Sequence, residues 1–331
     1  MILTLTLNPS LDRTIEIAAL ARGAVIRAAR ARLDPGGKGV NVSRALLANG
    51  VAARAVVPFA GDEGAQLVRL LAAEGLDMVT VPVAGTTRSN VTLAEPDGTV
   101  TKINEPGPAL SAAELDTIAE TVLAAAREAN WVADWVVASG SLPPGVPADV
   151  YARLCRRFAA AGLHVAVDTS GPALARALGA GPALVKPNLD ELAAVTGVPL
   201  VRVGDVVEAA AELRAAGART VLASLGPDGA VLVEDGGVWY GEAPVTGPRS
   251  SVGAGDAMLA GFLAAGGHGV TALAEALAWG AAAVRLPGSR MPGPADIDRA
   301  GVRTGVPDPA RPLTVPQAPP VPEPVAPSPH G

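Results

Sequence analysis

Two hydrophobic rhythms alternate along most of the chain. Short runs rich in Val, Ile, Leu and Thr take turns with longer Ala- and Leu-rich runs whose apolar positions recur every three or four residues. The first rhythm reads as strand and the second as amphipathic or buried helix. The pattern predicts strands over residues 2–7, 52–57, 135–138, 164–168, 183–186 and 220–224. It predicts helices over 40–48, 63–74, 112–126, 147–161, 189–195, 206–216, 254–264 and 271–284. Strands separated by helices imply a mostly parallel sheet covered on both faces, hence an α/β fold.

Two stretches break the rhythm. Residues 12–33 and 88–105 read as short extended pieces, the second with a hairpin turn at Asp97-Gly98. A small β-lid set into the α/β domain houses both. A third break comes after residue 305. Ten prolines fall in residues 306–331, which forbids helix and regular sheet pairing and predicts a solvated, extended tail. The expected organisation is a domain over 1–305 and a disordered tail over 306–331.

Composition narrows the function. Apolar residues make up 49% of the 331, enough for a sizeable core, yet aromatics are only 3%. The core must be Ala, Val and Leu. A net charge of −6 argues against a nucleic-acid partner, which wants a basic field. One cysteine, Cys155, excludes a disulfide framework and a multi-thiolate metal site. His164, His268 and His330 stand far apart, so neither a zinc hydrolase nor a Ser-His-Asp enzyme fits. No apolar run reaches the ~18 residues of a membrane span, and residues 1–7 lack a basic leader region. A cytoplasmic protein is expected. Of 26 basic residues only Lys38, Lys102 and Lys186 are lysine, and all three fall in the motifs below.

Five glycine- or proline-bearing turns could carry chemistry. Asp34-Pro35-Gly36-Gly37-Lys38-Gly39-Val40-Asn41 puts three glycines ahead of a helix, where a ligand can approach backbone and positive dipole. No Ser or Thr follows Lys38, so this is not a Walker A loop. Ser251-Val252-Gly253-Ala254-Gly255-Asp256-Ala257 opens another helix. The N–H groups of Gly253, Ala254 and Gly255 make a candidate anion hole, with Asp256 beside it as a candidate general base. A base that takes a hydroxyl proton next to an anion hole suits phosphoryl transfer. Met258 stands where a Rossmann fingerprint needs its last glycine, which disfavours a nicotinamide enzyme. Val185-Lys186-Pro187-Asn188-Leu189-Asp190-Glu191-Leu192 ends a strand and starts a helix. Asn188 and Glu191 fit two roles equally: a capping box, or a carboxylate ordering water around Mg²⁺. Ser139-Gly140-Ser141 and Ser224-Leu225-Gly226-Pro227-Asp228-Gly229 follow other strands, where α/β sheets gather ligands.

These motifs, with Asn8-Pro9-Ser10-Leu11-Asp12 and Asp168-Thr169-Ser170-Gly171, occur in the order found in the ribokinase/PfkB carbohydrate kinase family, which the chain resembles over roughly residues 1–300. The resemblance implies a ribokinase-like three-layer α/β/α sandwich with a small β-lid, and ATP-dependent phosphorylation of a sugar hydroxyl. Lys38, Thr101-Lys102-Ile103-Asn104 and Leu286-Pro287-Gly288-Ser289-Arg290 are most similar to the sugar-phosphate branch. Members of that branch act on ketohexose phosphates: fructose 1-phosphate above all, otherwise tagatose 6-phosphate or fructose 6-phosphate. Carried over by position, Asp256 is the base and Gly253, Ala254 and Gly255 the anion hole. Asp12, Gly37 and Asn41 hold sugar hydroxyls. Arg88, Lys38, Arg27 and Ser139 face the substrate phosphate. Lys102 stands where related chains often have an acidic residue or arginine; read from the residues alone, it adds positive charge from the lid. Lys186, Asn188, Ser224, Gly226 and Gly229 line the nucleotide side, and Glu191 acts on Mg²⁺ through water. Ser251 and Ala257 depart from the family's usual Thr and Ser. A homodimer through the β-lid is implied, with no membrane or nucleic-acid partner.

Overall fold

Period-two alternation in the first strand sets the layers. The computed structural model describes residues 1–128 and 133–314. Strand β1 (Ile2–Thr6) sends Leu3 and Leu5 to one face and Ile2, Thr4 and Thr6 to the other. The chain then leaves for the lid with β2 (Ser10–Glu16) and β3 (Arg30–Gly36), and returns through α1 (Lys38–Ala48), β4 (Ala53–Phe59), α2 (Gly61–Ala73) and β5 (Met78–Pro82). It revisits the lid with β6 (Arg88–Ala94) and β7 (Val100–Asn104), then runs α3 (Ala112–Ala125), β8 (Trp135–Ser139), α4 (Val150–Ala160) and β9 (His164–Asp168). The next elements are α5 (Gly171–Leu178), β10 (Leu184–Val185), α6 (Leu189–Thr196), α7 (Val203–Ala215) and β11 (Thr220–Ser224). A 3₁₀ turn (Gly226–Asp228), β12 (Ala230–Glu234), β13 (Gly237–Glu242), α8 (Ala254–Ala264), α9 (Gly269–Val284) and β14 (Arg303–Gly305) complete it.

The main sheet runs β14-β13-β12-β11-β10-β9-β8-β1-β4-β5. From β11 to β5 it is parallel, and the last three strands at the other edge are antiparallel. Leu3, Val136, Val165, Val221 and Val231 pack under helices α3 to α7. Ile2, Val137, Ala166, Leu222 and Leu232 face α1, α8 and α9. The α/β/α sandwich is therefore built as expected. The sequence pattern misses β5, α5, the β12–β13 hairpin and β14. The hairpin's apolar run carries no period that separates strand from buried helix, and β14 is three exposed residues.

The order β8-β1-β4 marks where the strand order reverses. The chain moves outward from β1 to β4 and β5, then starts afresh on the other side with β8. Crevices in parallel sheets open at such points. The lid, ordered β3-β2-β6-β7, stands over this one. In its register Ser10 pairs with Gly36 and Arg88, and Asp12 with Asp34 and Asn90. Those rows share the face turned to the crevice. Leu11, on the opposite face, is buried in a small cluster with Leu67 and Leu71 of α2. Arg44 of α1 pins this region. Its guanidinium forks onto Glu74 at 2.7 and 2.8 Å and donates to the carbonyls of Pro35 and Ser289.

Residues 306–314 depart from the solvated tail expected of 306–331. They run back along the domain. Val203 and Gly204 donate to the carbonyls of Arg311 and Pro309, and Leu313 donates to that of Val201. Prolines lack a donor but keep their carbonyls, so a proline-rich strand can dock as an acceptor. The rest of the tail, 315–331, lies outside the described residues. No helix among the described residues is long and apolar enough to cross a membrane.

Helices α8 and α9 touch at backbone range. A Cβ on Gly261 would lie 2.8 Å from the Trp279 ring and 2.9 Å from the Glu275 carbonyl. Gly261→Val is therefore expected to lose ~1–3 kcal/mol, read as a lower urea midpoint at unchanged m-value. An unchanged midpoint would show that these helices can part without cost.

Candidate active site

The crevice is a cavity of about 270 Å³ at the carboxyl ends of β1, β8 and β9. Its floor is the starts of α1 and α8, and its roof is the lid. At the start of α1 the missing side-chain cap is replaced from the neighbouring strand: Thr6 Oγ1 accepts from Val40 N at 2.9 Å. Helix α8 also starts without a side-chain cap. Gly253 sits at φ +76, a backbone that suits glycine. A first turn so arranged offers N–H groups and positive dipole to an anion.

Asp256 lies in that first turn, 7% exposed. Its Oδ2 accepts from Asn41 Nδ2 at 2.8 Å. Burial and the nearby Asp168 carboxylate push its pKa up to about 6, against the pull of Lys38, the Asn41 hydrogen bond and Lys186. A carboxylate so tuned takes a proton more readily than an ordinary aspartate.

Beneath it lies a buried ion network. Asp168, at the end of β9, meets Lys38 Nζ at 2.6 Å and Lys186 Nζ at 3.1 Å. Lys38 also reaches Glu191 at 3.5 Å. Burial alone would raise the Asp168 pKa, but Lys186 and Lys38 hold it below the usual carboxylate range. Burial opposes the charge of Lys38, yet Asp168 and Glu191 raise its pKa. Lys186 is 4% exposed and lies under the α8 turn, 3.2 Å from where a Cβ on Gly255 would stand. Asp168 stood in a motif without a role. Its signal was a lone carboxylate ending an apolar strand.

Asp12, Gly37, Lys38, Asn41, Arg88, Glu191, Gly253 and Asp256, all expected at a site, line the cavity. Asp12 accepts from Ser10 Oγ and Asn90 Nδ2. Arg88 donates Nε and Nη2 to the Asn8 carbonyl at 3.2 and 3.0 Å and Nη1 to that of Glu105. Burial lowers its pKa against the pull of Asp12 and Glu105. Asn8, Asn90, Asn104, Thr169 and Ser170, to which sequence reasoning assigns no role, also line it, as does Ser141 of the Ser139-Gly140-Ser141 turn. Their polar types are ordinary for surface positions, and only the tertiary fold gathers them.

Four residues assigned to the substrate side stand differently. Arg27 is exposed in the loop between β2 and β3, away from the cavity lining. Lys102 pairs with Thr92, two rows beyond the Asn90–Asn104 pair, and is exposed. Ser139 is fully buried below the floor, near Gly39, and Ser141 lines the cavity in its place. Lys38 does line the cavity, but its ammonium already binds Asp168.

The residues expected on the nucleotide side lie close together. Asn188 and Glu191 make a capping box: Glu191 N donates to Asn188 Oδ1 at 2.8 Å, and Asn188 N to Glu191 Oε2 at 2.9 Å. Asn188 bridges Ser224, and the Gly226–Asp228 turn with Gly229 follows directly. No group of three or more His, Cys, Asp or Glu stands at metal-holding distances among the described residues.

Comparison with known proteins shows the family. Residues 5–296 match the pfkB family of carbohydrate kinases. The chain is 42% identical to a 1-phosphofructokinase of Rhodobacter capsulatus over 266 residues, 79% of this chain and 82% of that one. It is 38% identical to the ATP-dependent 6-phosphofructokinase isozyme 2 of Escherichia coli over 261 residues, 78% and 83% of the two chains. The crystal structure of phosphofructokinase-2 from Escherichia coli superposes with a TM-score of 0.82 at 35% identity, covering 89% of this chain and 96% of that one.

The raised pKa of Asp256 makes a stability prediction. Between about pH 4 and pH 6 the folded state binds more of this proton than the unfolded chain, so stability falls as pH rises through that window. Asp256→Asn removes the buried charge and is expected to gain ~1–3 kcal/mol at pH 8, shrinking towards zero near pH 4. Urea unfolding at both pH values checks this. A variant less stable than the parent at pH 8 would refute it.

Proposed function

The chain belongs to the pfkB family of carbohydrate kinases, and from that premise we propose that it transfers the γ-phosphoryl group of ATP to a free hydroxyl of fructose 1-phosphate, giving fructose 1,6-bisphosphate and ADP. The observation that carries this reading is Asp256 at the uncapped start of α8, held by Asn41 and facing a polar cavity roofed by Arg88. The relative at 42% identity bears the name of this activity.

In this reading Asp256 takes the proton of the attacking hydroxyl. Asn41 keeps its carboxylate aimed into the cavity. The first-turn N–H groups of Gly253, Ala254 and Gly255 face the charge that builds on the moving phosphoryl oxygens, and Lys186 adds charge from below. Asp12 and Gly37 orient the sugar hydroxyls. Arg88 and Lys38 supply fixed positive charge to the phosphate already on the substrate. Lys102 and Arg27, being exposed on the lid, have to move inward to contribute. Asn188, Ser224, Gly226 and Gly229 line the nucleotide side.

Magnesium fits this donor set only as a partner of the nucleotide. Mg²⁺ keeps several waters and needs one or two carboxylates plus phosphates. Glu191 has Oε2 committed to its cap and Oε1 near Lys38, which suits contact through water and leaves no protein cage. When bound, the ion neutralises phosphate charge.

A second substrate reading, fructose 6-phosphate or tagatose 6-phosphate, draws on the 38% identical 6-phosphofructokinase. A non-catalytic sugar-phosphate sensor is disfavoured by the intact base and turn. The lid supports a homodimer: β7 is an open edge with Val100 and Ile103 about half exposed on it, and such edges gain from being covered. A cytoplasmic place follows from the substrates. Net charge of −6 and the absence of a spanning helix among the described residues favour neither nucleic acid nor membrane.

In a coupled ADP-release assay with Mg-ATP, fructose 1-phosphate should lead fructose 6-phosphate and tagatose 6-phosphate in kcat/KM. Turnover with none of them would overturn the kinase reading. Asp256→Asn should cut kcat by ~10²–10⁴, whereas near-normal kcat would reduce Asp256 to a helix-start residue. Arg88→Ala should raise the sugar-phosphate KM at least ~10-fold with the ATP KM nearly constant, the size of a lost charged contact. An unchanged sugar-phosphate KM would remove Arg88 from the substrate site.

A further inference from the structure

We propose that residues 306–314 act as a strap that positions the nucleotide-side turn, and that Thr314 does this by holding the carboxylate of Asp228. This rests on the reading above that the turn faces ATP.

Asp228 closes the Gly226–Asp228 turn, between Ser224 and Gly229. It is 4% exposed. Both oxygens of its carboxylate receive donors from one residue: Thr314 N donates to Oδ2 at 2.8 Å, and Thr314 Oγ1 donates to Oδ1 at 2.7 Å. The turn's backbone is held too. Tyr240 Oη donates to the Asp228 carbonyl at 2.7 Å, and Leu225 N to the Gly229 carbonyl at 2.8 Å. Arg311 of the strap lies over the Tyr240 ring, 4.9 Å from its centroid, and donates to Glu242 at 2.6 Å. One segment therefore grips the turn by a side chain directly and by its backbone through Tyr240.

The physical consequence follows from burial. A carboxylate deprived of its donors in a nearly closed setting must either stay unpaired or draw its turn outward to water. Outward movement of Asp228 carries Gly226 and Gly229 with it, since Gly229 follows it directly and Gly226 opens the same three-residue turn. The strap is itself hydrogen-bonded to residues 201–204 at the start of α7, through Val201, Val203 and Gly204, so it serves as an anchor. Neither Thr314 nor Asp228 lines the cavity under the lid, so the sugar side is insulated from the change.

The test compares the full-length protein with Thr314→Val and Thr314→Ser. Thr314→Val keeps shape and deletes the hydroxyl donor; Thr314→Ser restores it. Binding of a non-hydrolysable ATP analogue with Mg²⁺ is measured by titration calorimetry, alongside steady-state kinetics and thermal unfolding. Thr314→Val is expected to weaken nucleotide Kd and raise the ATP KM about fivefold or more, with sugar-phosphate KM and saturating kcat within about twofold, and Thr314→Ser to recover the parent value. A folded Thr314→Val protein with parental nucleotide affinity overturns the strap, and so does a fall in Tm with both KM values unchanged. A Thr314→Ser protein as weak as Thr314→Val also overturns it. If the parent phosphorylates sugar but Thr314→Val binds nucleotide normally, only the strap fails. If the parent binds no nucleotide, the ATP reading fails and the strap falls with it.

Discussion

Everything in the crevice depends on one buried carboxylate between two ammonium groups. Asp168 could not stay charged at zero exposure without Lys38 and Lys186, because burying an unpaired charge is far more expensive than burying a paired one. Its presence also raises Asp256, since two carboxylates in one dry pocket resist ionising together. A single arrangement thus fixes the lysines, seats Lys186 beneath the α8 turn and tunes the candidate base.

That arrangement is assembled by the sheet. Asp168 ends β9, Lys186 follows β10, Lys38 opens α1 and Asp256 opens α8. Parallel strands bring their carboxyl ends to one edge, and the reversal of strand order beside β1 leaves that edge open. The scaffold is made of interchangeable small apolar residues. The chemistry stands where the scaffold's regular hydrogen bonding stops and helix starts are left without side-chain caps.

Much of the site could be read from the chain because its parts are local turns. Gly36-Gly37-Lys38 and Gly253-Ala254-Gly255-Asp256 announce helix starts open to an anion, and Gly37, Lys38, Gly253 and Asp256 of these turns line the cavity. Asn188 and Glu191 allowed two readings, and the capping box formed. Two basic residues expected on the substrate side stand outside the cavity lining. Arg27 and Lys102 are close to the lid motifs, yet stand exposed: Arg27 falls in the loop between β2 and β3, and the place of Lys102 on β7 depends on sheet register. Lys38 illustrates the same gap: its neighbourhood marked it as part of a site, but its partner Asp168 lies 130 residues away.

The sequence by itself determined the layer architecture, through periods of two and of three to four that only strands and helices satisfy. It also determined the two glycine turns, whose conformations depend on nearest neighbours. The tertiary structure alone decided which polar side chains share the cavity, such as Asn8, Asn90 and Asn104 beside Asp12, and where residues 306–314 lie. It decided as well that Lys38, Asp168 and Lys186 form one network. Those outcomes depend on strand order and long-range pairing, and no local period encodes either one.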